Sequence, residues 1–285
     1  MKVLYISLGV PDYLCDTLMH GLYNLLGNDL THSDDYEIMY RDYGDTSALY
    51  GKGFTVWGLL PDKLSDNSYI IDKIKNRYFD FVIYGSIVRC RDYLDMVLQH
   101  YPRTRIAFVN GEDDNSISHT EYGVPVFKRE LTRKVAGVFP VSFSIPVEKT
   151  IDQLSITDKI KKLADYRPGS TSSYTYNTEE AYYNGYKEAQ FGLTHKKAGW
   201  DCMRHYEILA NGCLPYFPDL KDCPSLTMVN FPKQQILLGN ELYEQDNLDE
   251  GRYEELLNEV FTYTKDNLTT VSAAKYMLDT LTKLN

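Results

Sequence analysis

The sequence predicts an α/β fold of two parallel-sheet halves facing one cleft, the second half reduced. Three observations lead there. Apolar runs rich in β-formers alternate with amphipathic helical stretches between Lys2 and Gly111, a pattern that calls for a parallel sheet with right-handed crossovers. After Pro146 the pattern weakens, yet strand-like and helical stretches recur beyond a loop at Arg167-Pro168-Gly169-Ser170-Thr171-Ser172-Ser173. A length of 285 residues fits about two domains, each able to bury a core. The expected halves are 1–145 and 146–285.

In order, Lys2–Leu8 reads as a buried first strand. Asp12 is placed to cap a helix running to Leu26, with Leu14, Leu18, Leu22, Leu25 and Leu26 as its apolar stripe and Gly27 as its stop. A second strand is expected at Tyr36–Tyr40, a helix at Ile70–Arg77 and a third strand at Phe79–Tyr84. A further helix at Asp92–Tyr101 is stopped by Pro102, and Arg105–Val109 is a fourth strand ending at Asn110-Gly111. The second half should hold a short helix at Lys159–Ala164, a helix at Glu179–Ala189 and a strand at Phe191–His195. The helix Asp201–Asn211, closed by Gly212, leads into a strand at Cys213–Phe217, with another strand at Leu226–Phe231. Two helices fill Tyr253–Leu284.

Composition narrows the function classes. With 40 acidic against 30 basic residues the net charge is −10, which argues against a sequence-independent grip on nucleic acid. The five cysteines show no CxxC spacing, so neither a structural zinc site nor a disulfide framework is expected and a reducing compartment fits. No apolar run approaches the roughly 18 residues of a membrane span, and the N-terminal run is too short for a signal peptide. The expectation is a soluble cytoplasmic protein. Tyrosine is abundant, at 25 residues, a ring that suits interfaces and sugar sites.

Ligands of parallel sheets bind at the carboxyl ends of the strands, so residues following strands are the candidates. The richest stretch runs from Lys196 to Pro215. A glycine turn opens its helix, whose N-terminus favours anions, and Lys196, Lys197 and Arg204 add positive charge. Glu207 follows one turn later on the same face as Arg204, with His205 beside them. Diphosphate beside a cation and ribose beside a carboxylate would describe a nucleotide-diphosphate site. A surface helix with an Arg–Glu pair is the plain alternative.

In the first half, Asp12, Asp16 and His20 recur at four-residue spacing along the first helix. Either Asp could act as a general base, or simply cap the helix and face its dipole. Glu112-Asp113-Asp114 follows the fourth strand; Glu112 or Asp113 could bind an acceptor or act as base, while adjacent carboxylates are poorly spaced for one metal ion. Tyr50-Gly51-Lys52-Gly53-Phe54-Thr55-Val56-Trp57 is a glycine–aromatic loop without P-loop spacing. In it Trp57 could offer a platform for a sugar ring or simply pack. Lys128-Arg129-Glu130 with Arg133-Lys134 is a basic island that could meet an anionic acceptor or simply form an exposed helix face.

The run Trp200–Phe217 resembles the donor-binding region of GT-B glycosyltransferases, especially exostosin-like enzymes and their relatives in bacteria and large DNA viruses. Leu4–Leu22 and Tyr50–Thr55 look like stretches of the same relatives. The resemblance implies a GT-B-like fold of two Rossmann-like domains and transfer from a nucleotide sugar, a UDP-sugar such as UDP-xylose or a UDP-hexose, to a glycan hydroxyl. In that reading Arg204, Lys196 and Lys197 hold the leaving diphosphate, Glu207 binds ribose, and Trp200, Asp201 and His205 line the sugar or phosphate. Asp16, Asp12 and Asp113, in that order, are candidates for the base, and Glu112, His20 and Trp57 for acceptor binding. Many retaining GT-B enzymes carry a glutamate eight positions before the ribose one, where this sequence has Gly199, so the resemblance favours inversion. It also implies no cofactor and no required metal. The rivals are a non-catalytic nucleotide-sugar-binding protein and a phage-type DNA-base glycosyltransferase.

Overall fold

A computed structural model describes residues 1–34, 36–61 and 67–285. The first sheet is all parallel, with spatial order β2-β1-β3-β4-β5-β6. Its strands are β1 (Val3–Ile6), β2 (Leu30–His32), β3 (Phe81–Tyr84), β4 (Ile106–Asn110), β5 (Val126–Lys128) and β6 (Val138–Pro140). The second sheet is also parallel, in the order β7-β8-β9, from β7 (Lys161–Leu163), β8 (Ala189–Leu193) and β9 (Leu214–Tyr216). The chain passes from one sheet to the other between Pro140 and Lys161.

Strand alternation builds two cores around the first sheet. Leu4, Ile6, Val82, Tyr84 and Phe108 meet α2 (Ile70–Lys75) and α3 (Leu94–His100) on one face. Val3, Tyr5, Phe81, Ile83 and Val109 point to the other, where α1 (Tyr13–Leu26) lies. That second core continues without a break into the other half, through Phe191, Tyr206, Leu214 and the helices α6 (Lys233–Tyr243) and α7 (Glu250–Asn267). A smaller cluster behind the second sheet joins Tyr182, Tyr183 and Tyr186 of α4 (Glu179–Lys187) to Ile208 of α5 (Met203–Ala210).

Asp12 caps α1 as its position predicts, accepting from the Leu14 and Cys15 amides at 3.1 and 3.2 Å. The last helix, α8 (Thr270–Leu284), returns to the first half and lies along α1. Gly21 makes that approach possible: a Cβ there would stand 2.0 Å from the Thr270 carbonyl oxygen and 2.9 Å from the Ala274 methyl. Gly21→Ala should therefore destabilise the fold by about 1–3 kcal/mol through overpacking against backbone. Urea unfolding would show it, and an unchanged midpoint would contradict the close approach.

Four expectations need correction. Tyr36–Tyr40 is not a strand; a short 3-10 turn covers Glu37–Met39, and the second strand is Leu30–His32. Lys159–Ala164 contains a strand, because Lys161 and Leu163 pair with Ala189 and Phe191, and that pairing overrides the helix preference of lysine and leucine. Leu226–Phe231 is a run of turns with Met228 at φ +50°. The stretch 128–130 is no exposed helix face: Lys128 ends β5, and Lys128, Arg129 and Glu130 are all buried.

Candidate functional site

The second half presents the loop between β8 and α5. Cys202 opens α5 with an extended backbone and no side-chain cap, and the His205 amide turns back to the Cys202 carbonyl at 3.1 Å. The loop is braced from within. Burial lowers the pKa of His205 to about 4, and the neutral ring donates from Nε2 to the Trp200 carbonyl at 2.8 Å while Nδ1 accepts from the Thr194 hydroxyl at 2.9 Å. Asp201 accepts from the Phe143 amide at 2.7 Å and the Tyr206 hydroxyl at 2.9 Å. Asp201 and His205, expected to line a bound sugar or phosphate, are thus fully internal and hold the loop's shape.

The same loop rests on the carboxyl ends of β4 and β5. Glu130 accepts from the Trp200 and Asp201 amides, both at 3.0 Å. Arg129 donates to the Asp201 carbonyl at 2.5 Å, to the Gly111 carbonyl at 2.9 Å and to Asp113. Burial works against the charge on Arg129, but Asp201, Glu130 and Asp113 more than offset it. Gly199 is needed here, since a Cβ would stand 2.6 Å from Glu130 Oε1 and 3.1 Å from Asp113 Oδ1. Sequence reasoning passed over Arg129 and Glu130 as site residues. Their signal was a charged triplet directly after an apolar Val-Phe pair, which is how a strand running into a cleft reads.

Arg204 projects from the first turn of α5 and is 6% exposed. Its guanidinium donates weakly to Thr194 Oγ1, at 3.4 Å, and lies 5.4 Å from the centre of the Tyr166 ring. Its Nε has no partner, and no carboxylate pairs with Arg204 among the described residues. Tyr166 stacks on Tyr174 at 4.8 Å. Burial pushes the Tyr174 hydroxyl up, but bonds with Tyr166 and Gly169 and the charges of Lys197 and Arg204 bring it below its ordinary value, so two cations converge there. Lys196 and Lys197 are exposed on the turn before α5, and the Lys196 ammonium lies 5.7 Å from the Trp200 ring centre.

One turn further along α5, Glu207 holds two hydroxyls, one on each oxygen. Thr55 Oγ1 donates to Oε1 at 2.5 Å and Tyr182 to Oε2 at 2.7 Å. Burial raises the Glu207 pKa, and these two bonds pull against the rise. Thr55 belongs to the glycine–aromatic loop of the first half, which therefore reaches across to the second. Neither Thr55 nor Tyr182 stands out in sequence, because only the fold brings residues so far apart together.

The first-half candidates separate. Asp16 is 1% exposed; its Oδ2 accepts from Trp57 Nε1 at 2.7 Å, Tyr36 OH at 3.0 Å and the Asp12 amide at 3.0 Å, while Oδ1 is buried without a partner. Burial pushes its pKa up to about 8. Trp57 is likewise buried, stacked on Tyr13 at 5.1 Å, so its face is covered by Tyr13. His20 lies between α1 and α8, bonded to Thr270 Oγ1 at 2.8 Å with Glu148 at 3.5 Å, and has no exposed surface. Trp57 and His20, expected at the acceptor, are both buried, Trp57 against Tyr13 and His20 against Thr270.

Asp12, Glu112 and Asp113 do lie at strand ends, after β1 and β4. Arg89, following β3, joins two of them, with Asp12 at 3.0 Å and Glu112 at 3.1 Å. Asp113 is the open carboxylate of the group, 57% exposed. The adjacent carboxylates diverge: Glu112 turns to Arg89, Asp113 to Arg129 and Asp114 to Ser116.

Two parallel sheets whose strand ends meet across a bracing loop make this a GT-B-like fold. Among solved structures, one described as an alpha-glucosyltransferase in complex with UDP and a 13-mer DNA containing a central A:G mismatch aligns with a TM-score of 0.51, covering 99% of this chain and 99% of its own at 9% identity. At that identity the likeness concerns the fold. No family model matches the chain, and no curated protein matches it. No helix among the described residues is long and apolar enough to cross a membrane.

Proposed function

We propose that the protein is a glycosyltransferase that takes a UDP-sugar, a UDP-hexose or UDP-xylose, on its second half and transfers the sugar to a glycan hydroxyl held by the first. The observation that carries this reading is Arg204. A buried guanidinium without a carboxylate is costly to hold, and it stands at an uncapped helix N-terminus, where anions are favoured. A diphosphate would satisfy both, with Lys196 and Lys197 closing its exposed side. Charge develops on the leaving diphosphate in the transition state, so cations fixed there act where they count most. Glu207, already holding two hydroxyls, is suited to a ribose diol. Asp201 and His205 shape the loop, and Trp200 borders the donor.

For the base we favour Asp113. It is the exposed carboxylate beside the Gly199 turn and is oriented by Arg129. Asp12 follows, and Asp16, with no open oxygen, comes last. We infer inversion, with cationic side chains in place of a metal, and a cytoplasmic protein. The exostosin-like relationship stands on the Trp200–Phe217 run and belongs to the same proposal.

An acceptor glycan fits this mouth better than DNA. Asp12, Glu112, Asp113 and Asp114 line the strand ends, and Arg89 is already paired to two of them. Phosphates would meet like charge there, whereas sugar hydroxyls can both donate to the carboxylates and accept from the guanidinium.

UDP at about 100 times its dissociation constant should stabilise the protein by roughly 2.7 kcal/mol in thermal unfolding. Sugar transfer from a UDP-sugar should then fall in Asp113→Asn while UDP binding stays. A protein that binds no nucleoside diphosphate would overturn the reading; binding without turnover in any variant would leave a nucleotide-sugar-binding protein.

A further inference from the structure

We infer that the tip of the glycine–aromatic loop, residues 52–55, is a self-displacing occupant of the donor site: the Thr55 hydroxyl holds the carboxylate oxygen of Glu207 that a nucleotide hydroxyl must take, and donor binding drives the tip off. This deepens the donor-site reading above and rests on it.

The loop has the geometry of a segment held in place by its contacts. Gly51, Lys52, Gly53, Thr55 and Gly58 all have positive φ, between 59° and 79°. Thr55 is the telling case, because a β-branched residue at φ +79° is strained by its own side chain. Such a conformation persists only where the surroundings over-determine it. Here they do: Trp57 Nε1 on Asp16 at 2.7 Å and the Gly58 amide on the Ile38 carbonyl at 2.9 Å tie the base of the loop to the first half, while the tip, residues 52–55, is anchored on the second. The Thr55 hydroxyl bonds Glu207 at 2.5 Å and Tyr183 at 2.7 Å. Its amide donates to Glu179 at 2.6 Å, and Glu179 is in turn held by Lys149 at 2.6 Å. Lys52 Nζ donates to the Tyr176 carbonyl at 2.6 Å and to Asn177 Oδ1 at 2.9 Å, while Phe54 stacks on Tyr182 at 5.9 Å.

The two hydroxyls on Glu207 differ in kind. Tyr182 is on α4, part of the same half as Glu207, and stays with it. Thr55 comes from the other half on a glycine-hinged loop and can leave. With Thr55 seated on Oε1 and Glu207 only 7% exposed, ribose cannot reach that oxygen until the tip moves, so the apparent affinity for the donor is reduced by the fraction of molecules with the tip away. The strain at Thr55 favours release, and the anchors oppose it. The loop thus couples the presence of a donor to the opening of the space between the halves.

Thr55→Val keeps the β-branch and removes only the hydroxyl. Lys52→Ala cuts an exposed anchor and leaves the core untouched, which guards against a folding defect in the first variant. Calorimetric titration with UDP should give a dissociation constant at least about threefold lower in either variant than in the wild type. Amide exchange at 52–55 should rise in both variants without ligand, and in the wild type when UDP is added. UDP binding of unchanged or weaker affinity in both variants, with no change in exchange, would overturn the loop proposal alone. Absence of UDP binding in wild type and variants alike would overturn the donor reading and the loop proposal with it.

Discussion

Arg204→Ala is expected to abolish UDP-induced stabilisation and to lower kcat/KM for transfer by about a hundredfold to a thousandfold, the scale of losing a preorganised charge at a developing anion. The same substitution should change the stability of the empty protein little. Its guanidinium makes a long hydrogen bond to Thr194, has an unpartnered Nε and no paired carboxylate; burial opposes its charge while Cys202, Tyr166, Tyr186 and Tyr182 favour it, so its loss should change the unfolding free energy by no more than about 1 kcal/mol. This pairing of effects separates a ligand site from a structural one. An arginine that merely braced α5 would show the opposite: a large fall in unfolding free energy and an unaltered affinity for UDP. Lysine at this position should restore only part of the binding, because a point charge cannot reproduce the planar fork against Tyr166. Urea unfolding alongside UDP titration of the two variants measures both sides.

Asp16 governs the second large effect, on pH dependence. Burial raises its pKa from 3.8 to about 8 in the folded protein. The folded state therefore binds the proton more tightly than the unfolded chain does. The stabilising effect is fully present below about pH 4 and is lost as the pH rises to about 8. At 1.36 kcal/mol for each unit the change reaches on the order of 5 kcal/mol. Asp16→Asn removes the titration while its amide oxygen can still accept from Trp57, Tyr36 and the Asp12 amide. The stability difference between variant and wild type should be small near pH 4 and grow steadily in favour of the variant up to pH 8. Parallel pH curves for the two proteins would show that Asp16 is ionised in the fold. Turnover supplies a second reading: near-full activity in Asp16→Asn is expected if Asp113 is the base, and a loss comparable to that of Asp113→Asn would return Asp16 to that role.

How much of this was legible before folding depends on how local each signal is. The β1–α1 unit could be read because its apolar run, its Asp12 cap and its Gly27 stop lie within one stretch of chain. The turn–helix–strand unit around α5 was legible for the same reason, and Arg204 and Glu207 emerged from helical spacing alone. The strands β2, β5, β6 and β7 are three residues each, too short for alternation to register, and they exist because a neighbouring strand completes their hydrogen bonds. Lys161-Lys162-Leu163 favours a helix by itself; only β8 makes it a strand.

The sequence by itself determined the α/β class, the two-sheet layout and the residue types gathered around the α5 turn, all of which follow from hydrophobic period and turn chemistry along the chain. Tertiary structure decided which charges are open and which are internal. Burial set Asp16, the first candidate for the base, and Asp201 and His205, candidate donor contacts, inside hydrogen-bond networks, and left Arg204 without a paired carboxylate and Asp113 facing solvent. It also set Arg129 and Glu130 under the Gly199 turn and brought Thr55 onto Glu207. Those pairings span from 70 to 152 residues of chain. Desolvation and long-range hydrogen bonding have no local imprint, so the chemistry of a side chain in this cleft is set by which neighbours folding brings to it.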